Sequence, residues 1–103
     1  MDDGQIIDLY LERNEAAIKE TSAKYGHRLY SLSFGIVRDS MCAEECENDT
    51  YLKAWASIPP REPRDHFFPF LATIIRRLSL NVCRERSTLK RKAFVTELSQ
   101  ELE

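Results

Sequence analysis

The chain has 103 residues, the size of a single domain, and its 43% apolar and 31% charged residues exclude a disordered polymer. No apolar run approaches the roughly 18–20 residues of a membrane span, and the acidic opening MDDGQ lacks the basic-then-apolar pattern of a secretion signal, so a cytoplasmic chain is expected. The net charge of −2 divides into −5 over residues 1–60, +6 over 61–92 and −3 over 93–103, so the overall balance does not exclude a nucleic-acid partner.

Glycine and proline are scarce and strand-like alternation is rare, so the chain reads as all-α, a compact bundle of about four helices. Ile6, Ile7, Tyr10 and Leu11 share a face at helical spacing, which predicts a short first helix over residues 4–12. Asn14 is placed to cap a second helix from about Glu15 to Arg38. Its apolar stripe is Ile18, Tyr25, Leu29, Leu32 and Ile36, with Thr21 as the one polar member. Gly26 inside it fits a close approach by another helix better than a kink.

Ser40 is a plausible cap for a third helix, with Glu44 and Glu45 near the positive end of its dipole. That helix contains most of CAEECENDTYLKAWASIPP and must stop near Ser57, because Pro59 and Pro60 cannot continue it. Ala43, Cys46, Thr50, Tyr51, Ala54 and Ile58 fall on one side, with Trp55 at the border. Glu45, Asn48, Asp49 and Leu52 fall on another, at i, i+3, i+4 and i+7. This second face is either simply solvated or a surface for a partner.

IPPREPRDHFF then forms a loop of about ten residues, long for a small helical domain. Pro69 suits the first turn of a fourth helix, ending at about Arg86 or a little beyond, with Phe70, Leu71, Ile74, Ile75, Leu78 and Val82 as its apolar positions. Residues 93–103 read as a polar linker or tail following a domain of residues 1–92.

Three cysteines fit reduced thiols better than a disulfide framework. Cys42 and Cys46, four residues apart, could reach one metal, but no four-ligand set accompanies them, so no metal is expected. Cys46 reads as a small core residue and Cys42 as a partly exposed thiol. A Gly-rich phosphate loop, a His–Glu metal motif and a nucleophile elbow are all missing from the sequence, so no catalysis and no cofactor are expected.

Three blocks, RLYSLSFGIVRD, AEECENDTYLKAW and FLATIIRRLSLN, carry a family resemblance. Over roughly residues 5–92 the chain resembles the second region of bacterial sigma-70 factors, most closely the extracytoplasmic-function (ECF) group. The resemblance implies a helical, non-enzymatic domain acting in transcription initiation. It implies that Glu45, Asn48, Asp49 and Leu52 dock on the clamp helices of core RNA polymerase. It implies that the loop at 59–68 and the helix at 69–86 recognise and melt the promoter −10 element, with Asn81 on the reading helix. An anti-sigma factor is a further partner to expect. The second domain of such factors, which reads the −35 element, does not follow within these residues, so the chain resembles the promoter-melting half. The sequence departs from the pattern at Cys42, where an acidic residue is usual, at Glu47, where valine is common, at Arg77, where asparagine is common, and in HFFPFL.

The residues support a DNA partner without the resemblance. Arg76, Arg77, Arg84 and Arg86 lie along one helix, followed by Lys90, Arg91 and Lys92, a pattern suited to phosphates. Arg61, Arg64 and His66 extend the charge into the loop, where Phe67 and Phe68 can either stack on an unpaired base or belong to the core. Two alternatives stand beside this reading: a sigma-like module that binds polymerase or a regulator without DNA, and a thiol redox sensor built on Cys42 and Cys46.

Overall fold

The computed structural model describes the backbone of residues 1–102 and the side chains of residues 1–96. Helix α1 spans Asp3–Leu11 and begins with a reciprocal cap. The Gln5 amide donates to Asp2 Oδ1 at 2.8 Å, and the Asp2 amide donates to Gln5 Oε1 at 3.1 Å. Its inner face of Ile6, Ile7 and Tyr10 is fully buried. Asp3 ties it to the second helix by accepting from Lys24 Nζ at 2.8 Å and from the Tyr25 hydroxyl at 2.8 and 2.9 Å.

Helix α2 spans Ala16–Val37. Its cap position falls on Glu15, whose side chain makes no cap bond, rather than on Asn14, which stands one residue earlier and accepts through Oδ1 from the Ala16 amide at 3.0 Å. The buried positions are Ala17, Thr21, Tyr25, Gly26, Leu29, Ser33 and Val37, so the packed stripe is rotated from the purely apolar one, and Leu32 is 37% exposed. Small polar residues replace larger apolar ones because neighbours approach closely. The Tyr10 hydroxyl donates to Thr21 Oγ1 at 2.7 Å, since the Thr21 proton goes to the Ala17 carbonyl. Ser33 meets Ser79 in a buried hydroxyl pair at 2.7 Å. At Gly26 a Cβ would lie 3.1 Å from both Glu47 Oε2 and Tyr51 Oη, so the glycine permits close approach within an unbroken helix.

Helix α3 spans Ser40–Ser57. Its cap is Asp39 rather than Ser40, with Asp39 Oδ1 accepting from the Cys42 amide at 3.1 Å. The expected core face is the observed one: Ala43, Cys46, Thr50, Tyr51 and Ala54 are buried, and Ile58 just beyond the helix is fully buried. Glu47 is half-buried and accepts a hydrogen bond from the Tyr51 hydroxyl.

Helix α4 spans Phe67–Leu102 and packs on α2 and α3 through Phe67, Leu71, Ile75 and Ser79. It does not end near Arg86. No glycine or proline follows Pro69, and good helix formers fill residues 89–93, so nothing local stops the propagation. The long helix gives the molecule extents of 63 × 24 × 21 Å. No helix among the described residues is long and apolar enough to cross a membrane.

Candidate partner face and nucleic-acid interface

On α3, the residues opposite the core are Met41, Glu45, Asn48, Leu52 and Ala56, all exposed, with half-buried Asp49 at one side. Met41 is 79% and Leu52 63% exposed, so the face is mixed, with acidic and amide groups set between two large apolar side chains. Helical spacing, three or four residues on either side of Glu45 and Asn48, would have placed Met41 there from the sequence. None of the ion pairs among the described residues involves Glu45 or Asp49, so both carboxylates are free for an external cation.

On α4, Phe70, Arg77, Arg84 and Arg91 recur every seven residues. Two turns of helix bring them back to nearly the same side, drifting about 20° at each step and rising about 10.5 Å. This line points away from the buried stripe of Leu71, Ile75 and Ser79. Arg77, Arg84 and Arg91 are exposed, as are Arg76 and Asn81 on either flank. The expected stripe therefore exists, but Arg86 does not belong to it. Arg86 turns toward the bundle, where Nη1 donates to the Val37 carbonyl at 2.8 Å and Nη2 lies 4.0 Å from Asp39. With Cys83, whose thiol donates to the Ile36 carbonyl at 3.5 Å, it closes the C-terminal end of α2.

The loop before α4 forms a cleft of about 260 Å³ lined by Arg61, Glu62, Pro63, His66 and Phe70. Pro63 is fully buried and anchors the loop, while Arg61 and His66 are exposed at the rim. The cleft brings together two of the expected loop residues but not the expected ring. Phe67 is 1% exposed and packs edge-on against Tyr10 and Tyr25, with centroids 6.1 and 6.0 Å away, so it is a core residue and offers no face to a base. Phe68 contacts Tyr25 at 5.1 Å and is covered by the Arg28 guanidinium 3.8 Å above its ring. Half-buried Phe70 supplies the aromatic wall instead.

Arg64, also expected as a DNA contact, has all three of its guanidinium nitrogens engaged within the protein. Nη2 pairs with Asp8 at 2.7 Å, Nη1 donates to the Gly4 carbonyl at 3.2 Å, and Nε faces Glu62 at 3.5 Å. The Asp8 carboxylate holds the guanidinium more firmly protonated than usual.

Cys46 is 2% exposed and Cys42 half-exposed, so the two thiols do not share a surface. No group of three or more His, Cys, Asp or Glu among the described residues is arranged to hold a metal ion.

Among the described residues, α3 thus exposes a mixed acidic and apolar face, and α4 exposes a line of arginines headed by an aromatic ring. The family model of sigma-70 region 2 matches residues 22–88, from the first turns of α2 into the solvent-exposed part of α4. No curated protein and no solved structure gives a significant match. The matched segment contains α3, the proline loop and the arginine line as far as Arg84, and the chain belongs to the sigma-70 region 2 family, a non-enzymatic domain of transcription-initiation factors.

Proposed function

We propose that the chain docks on core RNA polymerase through the α3 face and captures the promoter −10 element as a single strand through the 59–66 loop and α4. The supporting observation is the cleft of Arg61, His66 and Phe70 at the head of the line Arg77, Arg84 and Arg91. An unpaired base stacked on an aromatic ring gains roughly 1–3 kcal/mol. That offsets part of the few kcal/mol needed to take it out of the duplex stack. The arginines meanwhile hold the backbone by releasing counterions. Arg76 and Asn81 flank this path, and Arg77 and Asn81 are the side chains best placed to touch bases next to the captured one.

On the polymerase side, Glu45, Asn48 and Asp49 recognise basic and amide groups of the clamp helices, while Leu52 and Met41 supply apolar contact. The resemblance of the sequence blocks supports the ECF group, a cytoplasmic site of action beside polymerase, and an anti-sigma factor that competes for one of these faces. Residues 1–92 form the acting domain, and 93–103 lead away from it.

The test is co-purification with core RNA polymerase, followed by a binding assay with single-stranded −10 DNA. Capture of polymerase and strand-specific DNA binding are expected. Polymerase binding with no DNA capture would instead establish the protein-interaction reading.

A further inference from the structure

We propose that α1, which lies outside the family match, acts as a strut that positions the DNA-reading loop, with Asp8 as the positioning residue and Arg64 as its partner. The inference rests on the functional reading of the loop given above. The backbone hydrogen bonds of the loop, Arg61 to Ser57, Arg64 to Glu62 and Phe70 to His66, join it only to itself and to the adjoining ends of α3 and α4, and none of them reaches α1 or α2. Beside the burial of Pro63, its side-chain hydrogen bonds to α1 run through Arg64, to Asp8 and the Gly4 carbonyl.

The platform beneath that tie is firm. Ile6, Ile7 and Tyr10 are fully buried, and Asp3 is bonded to Lys24 and Tyr25 of α2. Asp8 stands on the outer side of this helix, fixed by the core beneath it. Arg64 is next to buried Pro63 and two residues from His66. Holding the Arg64 guanidinium therefore holds the wall of the cleft formed by Arg61, Glu62, Pro63 and His66. The Arg64–Asp8 pair is partly exposed, with side chains 39% and 57% accessible, so its effect on global stability is small. What it fixes is the geometry of the loop.

Asp8→Asn is the test, read on the 103-residue chain bound to core polymerase. Affinity for a single-stranded −10 oligonucleotide should fall about fivefold, with the melting temperature, polymerase capture and salt slope unchanged. Amide hydrogen exchange in residues 61–66 should quicken. Asp8→Glu, and the exchanged pair Asp8→Arg with Arg64→Asp, should recover most of the loss. Equal DNA affinity in parent and Asp8→Asn overturns the proposal. So does tighter binding in Asp8→Asn together with a flatter salt dependence in Arg64→Ala, since Arg64 would then be a phosphate contact restrained by Asp8. A parent that captures no single strand overturns the functional reading itself, and the exchange rates then still report whether Asp8 holds the loop.

Discussion

Arg13 lies over Trp55, its guanidinium carbon 3.8 Å from the ring centroid, while Nη1 donates to the Trp55 and Ile58 carbonyls at 3.0 and 2.6 Å. One side chain thus closes the C-terminal end of α3 at the point where the proline loop departs. Arg13 itself adopts the left-handed backbone conformation, with φ of 56°, which turns the chain from α1 into α2. Arg13→Ala removes a cation–π contact and two carbonyl partners. It should lower stability by about 1–2 kcal/mol in a denaturant titration. Arg13→Lys keeps the charge but not the planar fork, and should recover less than half of that. An unchanged unfolding midpoint in Arg13→Ala would show the clasp to be energetically idle.

Phe67 and Phe70 should respond in opposite ways. Phe67→Ala opens a cavity among Tyr10, Tyr25 and the α4 core and should cost about 3–5 kcal/mol. Phe70→Ala removes a half-buried ring, should cost no more than about 1–2 kcal/mol, and should weaken capture of single-stranded −10 DNA. Thermal melts paired with the DNA assay separate the two. A Phe70→Ala chain that folds and binds as the parent does would rule out its ring as the base platform.

Glu45 and Asp49 carry no ion pair among the described residues, so reversing both to Lys should leave helicity intact and shift stability by about 0.5 kcal/mol or less. Core polymerase capture should nevertheless fall sharply, because like charges would then meet across the interface. Undiminished capture in a pull-down would remove α3 as the docking face.

The arginine line and Arg86 differ in what they hold. Replacing Arg77 and Arg84 with Ala should reduce the slope of log affinity against log salt by about 1.4, roughly 0.7 for each lost contact to a single strand. Arg86→Ala should leave that slope alone and lower the melting temperature instead, since it frees the Val37 carbonyl at the end of α2. A reversed pattern would place Arg86, not the line, on the DNA.

Burial and hydrogen bonding should make the domain sensitive to alkali. Burial raises the pKa of Tyr10, Tyr25 and Tyr51 above 10.0, and the bond from Tyr51 to the Glu47 carboxylate adds to its shift. The unfolded chain therefore gives up these protons at lower pH than the folded one. The stabilisation is complete below about pH 10 and is lost as pH rises from there through the folded values. Tyr51→Phe should make stability fall less steeply above pH 10, as read from urea midpoints at several alkaline pH values. An identical pH dependence in parent and variant would exclude Tyr51 as a main source.

The sequence by itself determined the four helices, the core face of α3 and the separation of its acidic face, because helical period and proline placement are local properties. The three blocks from Arg28 to Asp39, Ala43 to Trp55 and Phe70 to Asn81 pointed to the family. Part of the loop was also legible: starting α4 at Phe67 places Phe67, Leu71, Ile75 and Ser79 on one stripe and Phe70 off it. Starting the helix at Pro69 concealed that, since the residues before a proline turn carry no period of their own. Tertiary structure alone decided which cations are free. Arg64, Arg77, Arg84 and Arg86 look alike in a charge count, yet Asp8 from another helix holds Arg64, and the exposed end of α2 takes Arg86. Those partners lie 56 and 49 residues away along the chain, beyond the reach of any local pattern. An arginine becomes a strut or a ligand according to the acceptors that folding brings within about 3 Å of it.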